Sequence, residues 1–378
     1  MSSIARITIS HHQLPLDPPL RASWDPRRRT SFPATIVRVF DDAGRMGIGS
    51  GDSMYGFADY QQLFIGEDPL DLERHHAVLA NIDFHAGRPW PLEVALWDLA
   101  GKIRGEPVWK LLGGHGDPVR AYASTAVLRS PHEMAEVAQR VMERGFPAMK
   151  VRFGRPSIDD DFAVVRAIRD AVGDSIELMV DCNEGWRMPW DTRRPWDLRA
   201  AMEVARALES ERLYWLEEPL HRGDYEGYAE LRRNCGIRIA GGEMTREPYE
   251  FRELLRHECL DVFQPDCVCT MGITGVRDLA AEIVAAGTIF SPHTWGNGIG
   301  LVANLHVVGG TVGTPFIEYP FDPPEWTPAR RDYMLMDPIH PDDAGCLRLG
   351  DGPGLGIELD EAMLEQTRST SATFEGRR

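Results

Sequence analysis

Three short apolar runs end in acid. Residues 176–180 run into Asp181, residues 213–216 into Glu217-Glu218-Pro219, and residues 237–240 through Gly241-Gly242 into Glu243. Carboxylates gathered at one point repel each other and lose solvation, so they stay ionised only where a cation balances them. All-oxygen ligation selects a hard ion, Mg²⁺ first and Mn²⁺ second. Any one of these acids alone reads as a helix cap; three on successive apolar runs do not.

Other run ends carry complementary groups. Lys150 and Arg152 stand two apart, so both point to one face of a strand. Asp266 follows Gln264-Pro265, His293 sits in Ser291-Pro292-His293-Thr294-Trp295, and Glu318 ends the last run. A carboxylate beside an imidazole fixes its tautomer and raises its basicity, which suits Asp266 and His293 to acid–base work. A metal that binds a substrate carboxylate stabilises the enediolate formed when the α-proton leaves. Lys150 can screen that carboxylate, His293 can take the proton, and Glu318, if protonated, can donate to the oxygen that gains charge.

The elements that must position these groups alternate. Runs near 119–123, 148–152, 176–180, 213–216, 237–240, 260–264, 288–291 and 315–317 read as buried parallel strands, with helix-like periods between them. Such βα units close into a barrel whose active site lies at the carboxyl ends of the strands. Ahead of the barrel, strands over 4–10, 35–40 and 46–49 form a three-stranded meander, followed by helices over 71–80 and 91–105. Loops span 14–32 and 50–60. Residues 330–378 are rich in Pro and Gly and are expected to run back onto the N-terminal part. The 185–198 stretch, with three tryptophans and three arginines, reads as a lid, an interface or a packed surface insertion. The division expected is 1–117, 118–329 and 330–378.

The chain has 378 residues, with 41 Lys+Arg against 58 Asp+Glu, a net charge of -17. That excess argues against nucleic acid or an anionic membrane as partner, though not against an anionic substrate at a metal. Six cysteines without paired spacing read as reduced, with Cys267 and Cys269 in packing. His11, His12, His75 and His76 read as surface residues. With no bilayer-length apolar run and no signal peptide at Met1, a cytoplasmic enzyme is expected.

The chain resembles the mandelate racemase/muconate-lactonizing branch of the enolase superfamily, specifically the mandelate racemase subgroup. The resemblance covers nearly its whole length. It rests on Glu93-Val-Ala-Leu-Trp-Asp-Leu-Ala-Gly-Lys102, Leu111-Leu-Gly-Gly114, Lys150-Val-Arg152, Met179-Val-Asp-Cys-Asn183, Trp215-Leu-Glu-Glu-Pro219, Gly241-Gly-Glu243, Gln264-Pro-Asp266, Ser291-Pro-His293 and Glu318. It implies an α/β fold, a modified TIM barrel (β/α)7β under an α+β N-terminal capping domain completed by the C-terminal tail. It implies Mg²⁺ on Asp181, Glu217 (rather than Glu218) and Glu243. It further implies closure of the 14–32 and 50–60 loops over substrate, and a homo-oligomer from dimer to octamer. Asn183 matches a substrate-contacting position; Trp24, Arg28 and Trp295 are the remaining substrate-binding candidates.

One departure guides the activity. The family pattern is Lys-x-Lys, whose second lysine is the base opposite the histidine, and here Arg152 stands in its place. Arginine stays protonated, so it is a poor base. A one-base site favours dehydration of an aldonate or aldarate to a 2-keto-3-deoxy acid. Cycloisomerisation of sugar lactones or anhydro-sugar acids comes next, then racemisation or epimerisation, and last a non-catalytic sugar-acid binder.

Overall fold

The computed structural model describes residues 2–51, 54, 57–311 and 313–376. Part of the 50–60 loop therefore lies outside the described residues. An antiparallel sheet in the order β13-β1-β2-β3 is built from β1 (Ile4–Leu20), β2 (Arg29–Asp41), β3 (Met46–Gly51) and β13 (Arg368–Glu375). The helix Trp90–Arg104 packs against β3 so closely that a β-carbon on Gly47 or Gly49 would meet its backbone. The acidic residues of this helix are cross-links. Glu93 accepts the Thr274 amide at 2.8 Å, and Asp98 accepts the Ile48 and Leu355 amides, each at 2.7 Å.

Eight parallel strands form the second sheet. They are β4 (Val119–Ser124), β5 (Ala148–Arg152), β6 (Glu177–Asp181), β7 (Trp215–Glu217), β8 (Ile239–Gly241), β9 (Val262–Phe263), β10 (Ile289–Phe290) and β11 (Ile317–Pro320). Their order is β10-β9-β8-β7-β6-β5-β4-β11, so the last strand lies beside the first and the sheet curls into a barrel. Between them come seven helices, Pro131–Glu143, Ile158–Val172, Leu198–Leu208, Tyr225–Asn234, Pro248–Arg256, Gly272–Ala285 and Gly298–Gly309, the (β/α)7β pattern. The Ser130–Glu133 capping box starts the first of these. β12 (Cys346–Leu347) pairs antiparallel with the start of β4. Across the seam between β10 and β11, Ser291 Oγ donates to the Phe316 carbonyl at 2.7 Å.

The pleat decides what fills the barrel. Tyr122, Ala148, Met179, Trp215, Val262 and Phe316 belong to one buried apolar cluster. Two residues further along the same strands come Ser124, Lys150, Asp181, Glu217, Gln264 and Glu318, all buried. Side chains two apart share a face, so a polar layer is stacked directly above an apolar floor.

Three expectations need correction. The segments 14–20 and 29–32 are strand, not loop. Leu14, Leu16 and Leu20 continue the pattern of β1, and its prolines lie beyond the last residue that β13 pairs, on an edge where a missing N–H costs nothing. The meander has a fourth strand, because β13 flanks β1; its residues are almost all exposed and so carried no apolar signal. His12 and His75 are buried rather than on the surface, and His76 bonds Glu93 at 2.9 Å. Among the described residues, no helix is long and apolar enough to cross a membrane.

Candidate active site

Adjacent strands bring the first acids together by register: Arg152 pairs with Asp181, and Asp181 with Glu217. Glu243 follows β8 directly. Asp181, Glu217 and Glu243 are all buried and offer oxygens within 4.8 Å of one another. Each is oriented by other groups. Asp181 Oδ1 accepts the Asn183 amide at 2.8 Å, and Oδ2 pairs with Arg152. Glu217 Oε2 accepts Trp215 Nε1 at 2.9 Å and Gln264 Nε2 at 2.8 Å. Glu243 Oε1 accepts Trp186 Nε1 at 2.7 Å, while its Oε2 is buried without a hydrogen-bond partner, with His293 Nε2 3.6 Å away.

This donor set fits Mg²⁺. Burial, with Asp181 and Glu318 nearby, pushes Glu217 up to about 7 in spite of Lys150. Asp181, Glu217, Glu218, Glu243, Asp266 and Glu318 together outnumber Lys150, Arg152 and His293 even with all three cations charged. A hard dication held by Asp181, Glu217 and Glu243 offsets that imbalance and gives Glu243 Oε2 a partner. Glu218 turns away beneath the 185–198 loop, where a β-carbon on Gly185 would collide with its carboxyl.

Lys150 Nζ stands 2.5 Å from Glu217 and 2.9 Å from Glu318. Burial alone would lower its pKa, but these carboxylates raise it, so the ammonium stays charged. From sequence, Glu318 has a donor role only if it is protonated, and its surroundings favour the ionised form. Burial would raise it, yet Lys150, His293, Arg152 and the Thr294 amide hold it well below the usual carboxylate range. Its oxygens accept Ser124 Oγ at 2.7 Å and the Thr294 amide at 2.8 Å.

Arg152 is enclosed. It donates to the Thr125 carbonyl at 2.9 Å, Asn183 Oδ1 at 3.1 Å and Ser124 Oγ at 3.3 Å, besides Asp181. Its guanidinium lies 4.7 Å from the Trp24 ring and 5.4 Å from the Trp295 ring. Trp24 thus carries the N-terminal loop to the barrel mouth, meeting Trp295 edge-on at 4.9 Å. Arg28 does not reach the cluster: it is exposed, and its neighbour Arg29 lies 5.9 Å from Trp24 and pairs with Asp25.

His293 Nδ1 lies 2.8 Å from Asp266 Oδ2, so Nδ1 carries the proton and Nε2 faces the acids, 3.6 Å from Glu243 and 3.9 Å from Glu318. Burial would lower the imidazole, but Glu243, Glu318 and Asp266 push it up to about 10. With these acids uncompensated the ring is protonated; once Glu243, the largest of the three influences, is neutralised by a cation, the ring loses that charge and Nε2 is free to act as a base. Asp266 Oδ1 is fixed by the Val268 amide at 2.8 Å and Asn304 Nδ2 at 3.0 Å. Cys269, expected in packing like the buried Cys267, is half-buried, and its sulfur belongs to a group with Asp266 and His293.

Several participants were missed from sequence. Trp215 and Gln264 share faces with residues already singled out, so the period-two rule pointed to them. Trp186 lay inside the suspected lid, with nothing to mark it as the one touching Glu243. Asn304, in an almost wholly apolar helix, gave no signal.

Comparison with known proteins agrees. Residues 133–363 match the family model described as Enolase C-terminal domain-like. The chain is 30% identical to L-talarate/galactarate dehydratase of Salmonella typhimurium, over 90% of this chain and 84% of that one. It is 29% identical to D-galactarolactone cycloisomerase of Agrobacterium fabrum, over 82% and 83%. L-Talarate dehydratase of a Polaromonas species, crystallised with Mg and L-glucarate, superposes with a TM-score of 0.83 at 27% identity, covering 100% of both chains. Fold, acid triad and matched sequence converge: the chain belongs to the enolase C-terminal domain-like family, in its mandelate racemase/muconate-lactonizing branch.

Proposed function

We propose that the protein is a Mg²⁺-dependent acid-sugar dehydratase, acting on an aldonate or aldarate to give a 2-keto-3-deoxy acid. Arg152 carries this reading. It stands where a second base would have to be, and its donors are committed to Asp181, Asn183, Ser124 and Thr125. A guanidinium so placed stays charged and orients its neighbours rather than accepting a proton.

The residues divide the work as follows. Asp181, Glu217 and Glu243 hold the cation, whose chemistry is to draw electron density from the substrate carboxylate. Lys150 screens that carboxylate. His293 Nε2 takes the α-proton, Asp266 steadies the resulting imidazolium, and the same imidazolium returns the proton to the departing β-hydroxyl. Glu318 stays ionised and holds Lys150 and the Thr294 amide in place. Trp24, Trp295 and Asn183 line the substrate side through Arg152. Residues 1–117 and 330–378 act as the cap and 118–329 as the catalytic barrel. We place the protein in the cytoplasm, a reading that rests on the cysteine spacing in the sequence. Exposed Phe84 and Tyr249 support a homo-oligomer, which light scattering tests.

The deciding experiment incubates the Mg²⁺-loaded protein with a panel of sugar acids in D₂O. A 2-keto acid product, lost on chelation, supports dehydration. Deuterium at the α-carbon of both enantiomers without keto acid overturns it. The second reading, cycloisomerisation, is favoured by similarity to the galactarolactone enzyme, and would give an isomer of unchanged mass.

A further inference from the structure

The mechanism above leaves one reactive group beside the base unused. Asp266 opens the turn Cys267–Met271, in which the Thr270 amide returns to the Asp266 carbonyl at 2.9 Å. This tight winding brings the side chain of the third residue, Cys269, back over the Asp266–His293 pair. A sulfur, an imidazole nitrogen and a carboxylate oxygen then lie within 4.8 Å of one another. We propose that Cys269, His293 and Asp266 form a second, inhibitory metal site, selective for borderline and soft divalent ions such as Zn²⁺ and Cd²⁺.

Donor chemistry separates this site from the all-oxygen triad. Thiolate and imidazole favour Zn²⁺ and Cd²⁺, while Mg²⁺ keeps to oxygen. Geometry supports it. With bonds of about 2.0 Å to nitrogen and oxygen, one tetrahedral ion spans ligand atoms roughly 3.3 Å apart, so an ion that replaces the Nδ1 proton has to open the 2.8 Å Asp266–His293 hydrogen bond by roughly half an ångström. The sulfur bond is longer, about 2.3 Å, and Cys269 has to close by no more than roughly an ångström to complete it. The carboxylate is fixed by Val268 and Asn304, and the ring by its own burial, so two ligands are preorganised. Cys269 is only partly buried, which gives an ion a way in. Glu243 and Glu318, on the other side of the ring, add negative potential.

The step balances without redox chemistry. Bonds form from the ion to Sγ, Nδ1 and Oδ2. The thiol proton passes to solvent, and the ring proton leaves Nδ1 and is retained on Nε2. Nε2 then has no lone pair for a substrate proton. Binding does not depend on the dehydratase reading; only the inhibition does.

The test is a Cd²⁺ titration of the Mg²⁺-saturated protein, read by thiolate-to-cadmium absorption, alongside Zn²⁺ inhibition of sugar-acid turnover. Wild type should show a thiolate band saturating at one ion per chain and lose activity as Zn²⁺ rises. Cys269→Ser should keep basal turnover, lose the band and need roughly tenfold or more Zn²⁺ for half-inhibition. Cys267→Ser, at a wholly buried thiol, serves as the control and should behave as wild type. No band in wild type, or an equal band in Cys269→Ser, overturns the site. Equal Zn²⁺ sensitivity of wild type and Cys269→Ser also overturns it, because zinc would then be acting at the oxygen triad. If no sugar acid is turned over, the dehydratase reading fails while the cadmium band still decides the site.

Discussion

The active site has two halves built on different principles. Lys150, Asp181, Glu217 and Glu318 lie within strands, in register through backbone ladders, above a continuous apolar floor. Trp24, Asp25, Trp186 and Trp190 ride on loops that backbone bonds tie to the barrel at a few points, such as the Ser23 amide on the Ala126 carbonyl at 2.8 Å and the Arg222 amide on the Gly185 carbonyl at 3.1 Å, and side chains supply the rest. Trp190 Nε1 donates to Asp25 at 2.9 Å, Arg27 covers the Trp190 ring at 4.2 Å, and Trp186 reaches Glu243. The strand-borne half cannot shift without breaking the barrel; the loop-borne half can open when a few polar contacts are exchanged for water. Chemistry is placed on the rigid part and access on the releasable one.

The sharpest way to break this contrast is to remove the base. His293→Asn should lower kcat by roughly 10³-fold while leaving Mg²⁺ affinity within a few-fold, since an acid–base group contributes about 10²–10⁴-fold; calorimetry and turnover separate the two. Trp186→Phe probes where the halves meet. Losing the donor to a metal ligand should weaken Mg²⁺ binding by about 10-fold to 100-fold, measured by titration calorimetry. An unchanged affinity would mean that the loop does not steady Glu243.

Trp190→Phe keeps an aromatic ring under Arg27 but deletes the bond to Asp25 together with the pyrrole half of the indole. A lost hydrogen bond to a charged group is worth about 1.5–3 kcal/mol where fully buried, and less at this partly exposed ring. KM should therefore rise several-fold with kcat nearly constant, and a fall in kcat alone would contradict the division of labour.

The smallest effect concerns what joins the cap to the barrel. His306 accepts the Trp109 amide at 3.0 Å and faces the Leu355 carbonyl at 3.2 Å. Burial pulls its pKa down to about 4. A folded pKa below the unfolded one, near 6.5, means the unfolded chain binds the extra proton first. Stability from this group is intact above about pH 6.5 and falls as the pH drops toward 4. His306→Gln should be less stable at pH 7 and show a flatter decline over that window in denaturant titrations.

The strand-borne half was readable because an apolar run ending in acid is a local pattern, and the two-residue repeat aligned Lys150 with Arg152 before any coordinates. The loop-borne half was not. Arg28 looked equivalent to Arg29 in sequence, and only the path of the chain chose between them. The charge state of Glu318 was left open because its charged neighbours come from distant strands. His75 and His12 were placed outside because polarity was read without the Asp68 carbonyl, 2.8 Å from His75 Nε2, or Ser10 Oγ, 2.8 Å from His12 Nε2, that hold them inside. The misses turned on contacts that no repeat announces: partners on distant strands, the path of a loop, or a local hydrogen bond that lets a histidine be buried.

The pairing of β13 with β1 joins the two ends of the described chain, Arg6 opposite Glu375. During synthesis the N-terminal hairpin emerges long before its flanking strand exists, and its edge stays open to stray pairing until the barrel has been made. The cap is thus finished last, and shortening the chain before Arg368 would leave a catalytic barrel beneath an adhesive rim.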